Sequence, residues 1–178
     1  MTCITVKKEK WFIHLCWDSE VSHWSLWNKT SNSYGNTIKD YCKLQHINDI
    51  YFWHSGRLED ALVFKEYCKT NNPKWDRLDD IESFILWFYK YSKERNSTFN
   101  VNNERQIQII IVYKEKIYFV MNYLIAEVSD YASIWSWMFY AKTAMYLWNT
   151  AKQAVMVAKE FAWWVWWKVV ELKIPYSI

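Results

Sequence analysis

Ser129–Leu172 reads SDYASIWSWMFYAKTAMYLWNTAKQAVMVAKEFAWWVWWKVVEL and holds neither glycine nor proline. Its apolar residues run from Ile134 through Met138, Ala141, Met145 and Trp148 to Ala151, Val155 and Ala158, then on to Ala162, Val165 and Val169. Steps of three and four give a heptad-like stripe. The spacing predicts one long helix, or two with a break near Asn149. Trp135, Phe139, Tyr146, Trp163 and Trp167 fall on the other faces. A helix apolar on most faces is buried, self-associating or laid on another surface. Pro175 lies beyond its end.

Upstream, two β-rich runs, Gln106–Val112 and Ile117–Tyr123, flank Tyr113-Lys-Glu-Lys116 and read as a hairpin. Asp79–Glu94 reads as a helix, with Asp79 and Glu82 spaced like a capping box and Ile81, Phe84, Ile85 and Phe88 as its apolar stripe. Leu58–Thr70 is helical in pattern and is stopped by Asn71-Asn-Pro73. Tyr51–Trp53 is a short strand candidate. Thr37–Ile47 places Ile38, Tyr41, Cys42 and Leu44 on one side of a helix. Ile4–Asp18 reads as a strand, Asp18-Ser-Glu20 as a turn, and Val21–Lys29 as a second strand pairing back. The expected class is α+β: a small antiparallel sheet packed with several helices, including a long C-terminal helix or helical hairpin. One domain is expected over 1–178, with mixed strand and helix over 1–125 and a long helical part over 126–178.

Composition narrows the function. The chain of 178 residues carries 14 Trp, 13 Tyr and 9 Phe but only 2 Gly and 2 Pro, with a net charge of +3. So few glycines leave turns with positive φ to be rare or to rest on Asn. They also rule out the dinucleotide and P-loop cradles. The weak positive charge permits a phosphate-bearing ligand without requiring one. Cys3, Cys16, Cys42 and Cys68 show no CxxC pair, so they read as reduced, buried thiols with neither a zinc site nor a disulfide framework. The absence of a signal peptide and of a transmembrane run makes the chain cytoplasmic in expectation.

His14, His23, His46 and His54 match no metal-binding or nucleophile motif. Glu59-Asp60 and Asp79-Asp80-Glu82 sit where helix N-termini favour negative charge. An enzyme is therefore not expected, no metal or cofactor is expected, and a scattered Cys/His site ranks last.

Trp24 and Trp75 lie in separate loops, Asp76 follows Trp75, and Lys114 and Lys116 flank a third turn. Two indoles from distant loops can sandwich a planar base, with stacking worth about 1–3 kcal/mol per base. Here the order of elements resembles the cap-binding translation initiation factor 4E family. Lys10-Trp11-Phe-Ile-His-Leu15 resembles that family's first strand, Thr37–Ile47 its first helix, and Pro73-Lys-Trp75-Asp76 the segment bearing its second stacking Trp. The resemblance implies that Trp24 and Trp75 stack on a methylated guanine, that Asp76 binds its edge, and that Lys114 and Lys116 take the phosphates. It implies a non-catalytic binder of a nucleotide or RNA cap. The alternative is a structural or assembly protein, a viral or large-complex subunit, that packs against itself or a protein partner through residues 129–172.

Overall fold

A computed structural model of the chain describes residues 3–18, 44–55, 58–95, 108–134, 137–161 and 168–176. The chain divides into two compact units, one of Met1–Lys43 with Ser129–Ile178 and one of Leu44–Val128.

In the first unit, β1 (Ile4–Lys8) and β2 (Phe12–Asp18) pair antiparallel, with Thr5 opposite Cys16 and Lys7 opposite His14. The single strand expected over Ile4–Asp18 is thus two strands. β8 (Tyr131–Ile134) joins β1, and β9 (Val169–Pro175) joins β2, for the order β8-β1-β2-β9. Side chains alternate along each strand. Ile4, Val6, Ile13, Leu15 and Trp17 therefore share one buried face, and Thr5, Lys7, His14, Cys16 and Asp18 share the other. α3 (Met138–Tyr146) and α4 (Ala151–Phe161) pack on the polar face through Ala141, Ala144, Ala151, Ala154 and Ala158, which meet Cys3 and Cys16. Alanine lets the helices approach closely enough for side chains of β1 to reach their backbone. Thr5 Oγ1 donates to the Ala151 carbonyl at 3.0 Å, and Lys7 Nζ donates to the Asn149 carbonyl at 2.9 Å.

The joint between the two helices is built from local signals. The Trp148 N–H bonds to Met145 O (3.1 Å) and the Asn149 N–H to Ala144 O (3.2 Å), the Schellman pattern. Trp148 takes the left-handed position at φ 68°, where glycine is usual, and is 90% exposed. Thr150 and Gln153 then form a capping box: Gln153 Oε1 accepts the Thr150 N–H at 2.9 Å, and Thr150 Oγ1 accepts the Gln153 N–H at 3.3 Å.

The second unit is a five-stranded antiparallel meander: β3 (Leu44–Ile47), β4 (Ile50–Ser55), β5 (Gln108–Tyr113), β6 (Lys116–Met121) and β7 (Leu124–Val128). α1 (Leu58–Thr70) and α2 (Leu78–Arg95) lie between β4 and β5 in sequence. Its core is aromatic: Phe64 meets Phe52 and Phe88 edge-on, each with centroids 4.7 Å apart. The Lys114–Glu115 turn has positive φ at both residues (46° and 64°), the two-residue hairpin geometry that usually selects Asn-Gly.

The coarse class, α+β with antiparallel sheets and helices, stands. The continuous helix over Ser129–Leu172 does not: strands β8 and β9 occupy its two ends, and helix survives as α3 and α4 with the break at Leu147–Thr150. Short apolar runs such as Tyr131–Ile134 fit strand or helix equally by period, and pairing with β1 and β2 decides for strand. The helix expected over Thr37–Ile47 ends instead in strand Leu44–Ile47; residues 37–43 lie outside the described residues, as do the strand expected over Val21–Lys29 and Cys42. Cys3, Cys16 and Cys68 are buried and outside any disulfide, as expected.

Candidate active site

The β1–β2 register brings Cys3 opposite Asp18. The Asp18 N–H donates to Cys3 O at 3.3 Å, and the Cys3 N–H donates to the Asp18 carboxylate. Asp18 is only 4% exposed. Burying a carboxylate is costly unless donors compensate it, and a bond from a backbone amide to an ionised acceptor is among the stronger ones. Read from sequence, Asp18 opens a turn; in the structure it closes β2 with its carboxylate turned inward. On the neighbouring strand, the buried Ser133 donates from Oγ to Ile4 O at 3.0 Å. The start of β1 is thus held on both sides by polar groups. In sequence, Thr2 precedes Cys3. Asp18 carries no local motif that would single it out, because its partner is fifteen residues away.

The residues expected to bind a base are placed in the second unit, except Trp24, which lies outside the described residues. Trp75 is 52% exposed, and Lys114 Nζ sits 5.6 Å from its ring centroid, a cation–π distance. Lys116 Nζ lies 3.2 Å from Asp76 Oδ2 and donates to Asp76 O at 3.1 Å. Tyr118 donates to the same carbonyl. The hydrogen bond from Lys116 holds the Asp76 carboxyl below its ordinary range. Trp75, Asp76, Lys114 and Lys116 therefore do come together, but the lysines engage the indole and the carboxylate themselves, pinning the segment after Pro73 to the β5–β6 turn.

No protein-family model matches the chain, and no curated protein matches it in sequence. Solved structures do. A Thiobacillus denitrificans BPH in complex with epoxomicin is 18% identical and is matched over 100% of both chains at a TM-score of 0.79. A eukaryotic HslV from Trypanosoma brucei is 17% identical, over 96% of this chain and 99% of that one, at 0.60. Anbu (ancestral beta-subunit) from Yersinia bercovieri is 12% identical, over 98% and 82%, at 0.66. Such low identities show a shared fold. That fold overturns the resemblance to the cap-binding initiation factors, which rested on short degenerate segments. With it fall the reading of a non-catalytic nucleotide- or cap-binding protein and the expectation that the chain is not an enzyme, since the neighbours point toward one.

Proposed function

We propose that the chain is a proteasome-type threonine peptidase subunit, an amide hydrolase whose nucleophile is Thr2. The observation that carries this is the buried Asp18 carboxylate bonded to the Cys3 amide, one residue from that threonine, on a fold similar to HslV, Anbu and the epoxomicin-bound BPH. A cut before Thr2 would leave a hydroxyl and a free α-amine on one residue, the threonine form of the nucleophile–base pair. An α-amine titrates near 7.7–8.0, close to the pH at which a general base works best. The amine takes the hydroxyl proton as the oxygen attacks the scissile carbonyl. It returns that proton to the departing amine as the tetrahedral adduct collapses to an ester. Water then attacks the ester and releases the acid, restoring hydroxyl and amine. Asp18 acts as a positioning residue, fixing the backbone beside the nucleophile and supplying fixed negative charge.

Self-association belongs to the same proposal. Anbu is described as an ancestral beta-subunit, and α3, α4 and their joint expose Phe139, Tyr146, Trp148 and Phe161, aromatic surface of the kind that copies of a chain cover. The end-to-end match to the BPH supports 1–178 working as one domain. No helix among the described residues is long and apolar enough to cross a membrane, and we place the assembly in the cytoplasm.

Intact-mass analysis of the purified chain before and after incubation with epoxomicin tests the reading. The expected result is a chain beginning at Thr2 that gains one epoxomicin adduct, mapped to that residue, and cleaves a fluorogenic peptide amide. A chain beginning at Thr2 that neither reacts nor cleaves, in its assembled state, overturns it.

A further inference from the structure

A second group of polar side chains lies on the same sheet face. His14 and Cys16 are two residues apart on β2 and so point to one side. Glu171 on β9 is the register partner of Cys16. His14 Nε2 lies 3.1 Å from Glu171 Oε2 and 3.4 Å from Cys16 Sγ, and the donor atoms of all three fall within 4.8 Å of one another. His14 and Cys16 are buried, while Glu171 reaches solvent.

A catalytic Cys–His–acid relay holds thiol and carboxylate on opposite nitrogens of the imidazole. Here both meet the same nitrogen. A single Nε2 offers one proton or one lone pair, so it cannot donate to Glu171 while accepting from Cys16. Convergence on one point is instead the pattern of ligands around an ion. Zinc bonds of about 2.3 Å to sulfur, about 2.05 Å to imidazole and about 2.1 Å to carboxylate, at tetrahedral angles, set edges of about 3.6 Å for S···N, about 3.4 Å for N···O and about 3.6 Å for S···O. The separations of 3.4 and 3.1 Å are slightly shorter than the first two, and Cys16 Sγ and the carboxylate oxygen, within 4.8 Å of one another, close toward the third when an ion is bound.

We propose that His14 Nε2, Cys16 Sγ and the Glu171 carboxylate form a site for a divalent transition metal of the zinc class, with a fourth position left to water on the solvent side of Glu171. Thiolate, imidazole and carboxylate are together a ligand set that zinc accepts and calcium or magnesium do not. The site is independent of the peptidase reading.

Among the described residues, the charged groups facing it are Lys7 from β1, the register partner of His14, Lys152 from α4, whose Nζ holds Glu171 Oε1 at 3.0 Å, and Lys173 from β9; Cys3 on β1 is the other nearby thiol. Without metal, burial pushes the Cys16 thiol up to about 12 and keeps it protonated, and Lys152, then His14, hold the Glu171 carboxyl below its ordinary range. Metal binding releases the thiol proton to solvent and requires the Nδ1–H tautomer of His14.

The test uses the full chain, stripped with chelator and titrated with cobalt(II) alone and then zinc(II) alone. One equivalent of cobalt is expected to give a thiolate-to-metal charge-transfer band that zinc bleaches. Cys16→Ser should abolish the band, and His14→Ala should weaken binding about 100-fold or more. Lys152→Met, a change of a partly exposed side chain that is not a ligand, should tighten binding by roughly threefold or more, because it removes a positive charge beside the ion. A wild-type chain without the band overturns the proposal, as does a band that persists in Cys16→Ser. If a ligand variant fails to fold, Lys152→Met decides: unchanged or weaker affinity counts against the site.

Discussion

The two sheets bury opposite kinds of residue under their helices. Beneath α1 and α2, the meander packs Phe52, Phe64, Phe84 and Phe88 into a cluster of rings. Beneath α3 and α4, the four-stranded sheet buries Thr5, His14, Cys16 and Asp18 on the face whose Cys3 and Cys16 meet the helix alanines. Rings contribute apolar area and offset-stacking energy, and they hold a unit together without directional demands. Buried hydroxyl, thiol, imidazole and carboxylate groups contribute little net stability and must each find a partner. A fold that retains them on one face is spending stability on placement, which is the usual mark of a working surface. The aromatic unit should therefore answer to tests of stability, and the polar face to tests of chemistry.

The sharpest break in that contrast is expected at Thr2. Thr2→Ala should lower peptide hydrolysis by at least about 10⁴-fold, as removal of a nucleophile does, while the melting temperature stays within about 2 °C of the parent. An equal fall in melting temperature would assign Thr2 to structure. Phe64→Ala should do the reverse, costing about 3–5 kcal/mol in denaturant unfolding with hydrolysis per folded molecule unchanged. Asp18→Asn keeps the shape and removes the charge. It should cut kcat roughly 10²-fold with KM near the parental value, and a fall confined to stability would make Asp18 merely structural. Trp148→Gly relieves a left-handed residue that carries a Cβ and should raise stability by about 1 kcal/mol, read as a higher urea midpoint at unchanged slope. The smallest effect concerns acid. Lys116 holds the Asp76 carboxyl below its ordinary value of 3.8, so this contribution is present above that value and is lost as pH falls through the lower, folded one. Lys116→Met should abolish that part of the loss below about pH 4; a parent and variant that lose stability in parallel there would show the pair to be inert.

The same contrast explains what could be read in advance. Leu58–Thr70 and the hairpin of β5 and β6 were legible because their signals are local: an apolar period, a proline stop, two β-rich runs around a polar turn. Even so, the turn at Lys114–Glu115 takes positive φ without Asn or Gly, while Asn48 and Asn122 follow the expectation. The polar sheet was not legible. Ile4–Lys8 and Phe12–Asp18 read as one strand because the short turn between them carries no glycine or proline, and Val169–Pro175 reads as the end of a helix because its partner, β2, is more than a hundred residues away. Asp18 gave no signal either, since its partner, the Cys3 amide, lies fifteen residues back and no local motif marks the pair. The base-binding constellation shows the converse hazard: Trp75, Asp76, Lys114 and Lys116 are indeed neighbours, yet proximity serves to hold a loop in place.

Discontinuity in the chain also sets an order of events during synthesis. The meander is contiguous, so it can close as soon as residue 128 has been made, whereas β2 acquires its second neighbour only when Val169–Pro175 arrives. A nascent chain therefore carries the Asp18 strand with an open edge for most of translation. Latency is built into the topology: whatever chemistry that carboxylate supports must wait until Val169–Pro175 has been made.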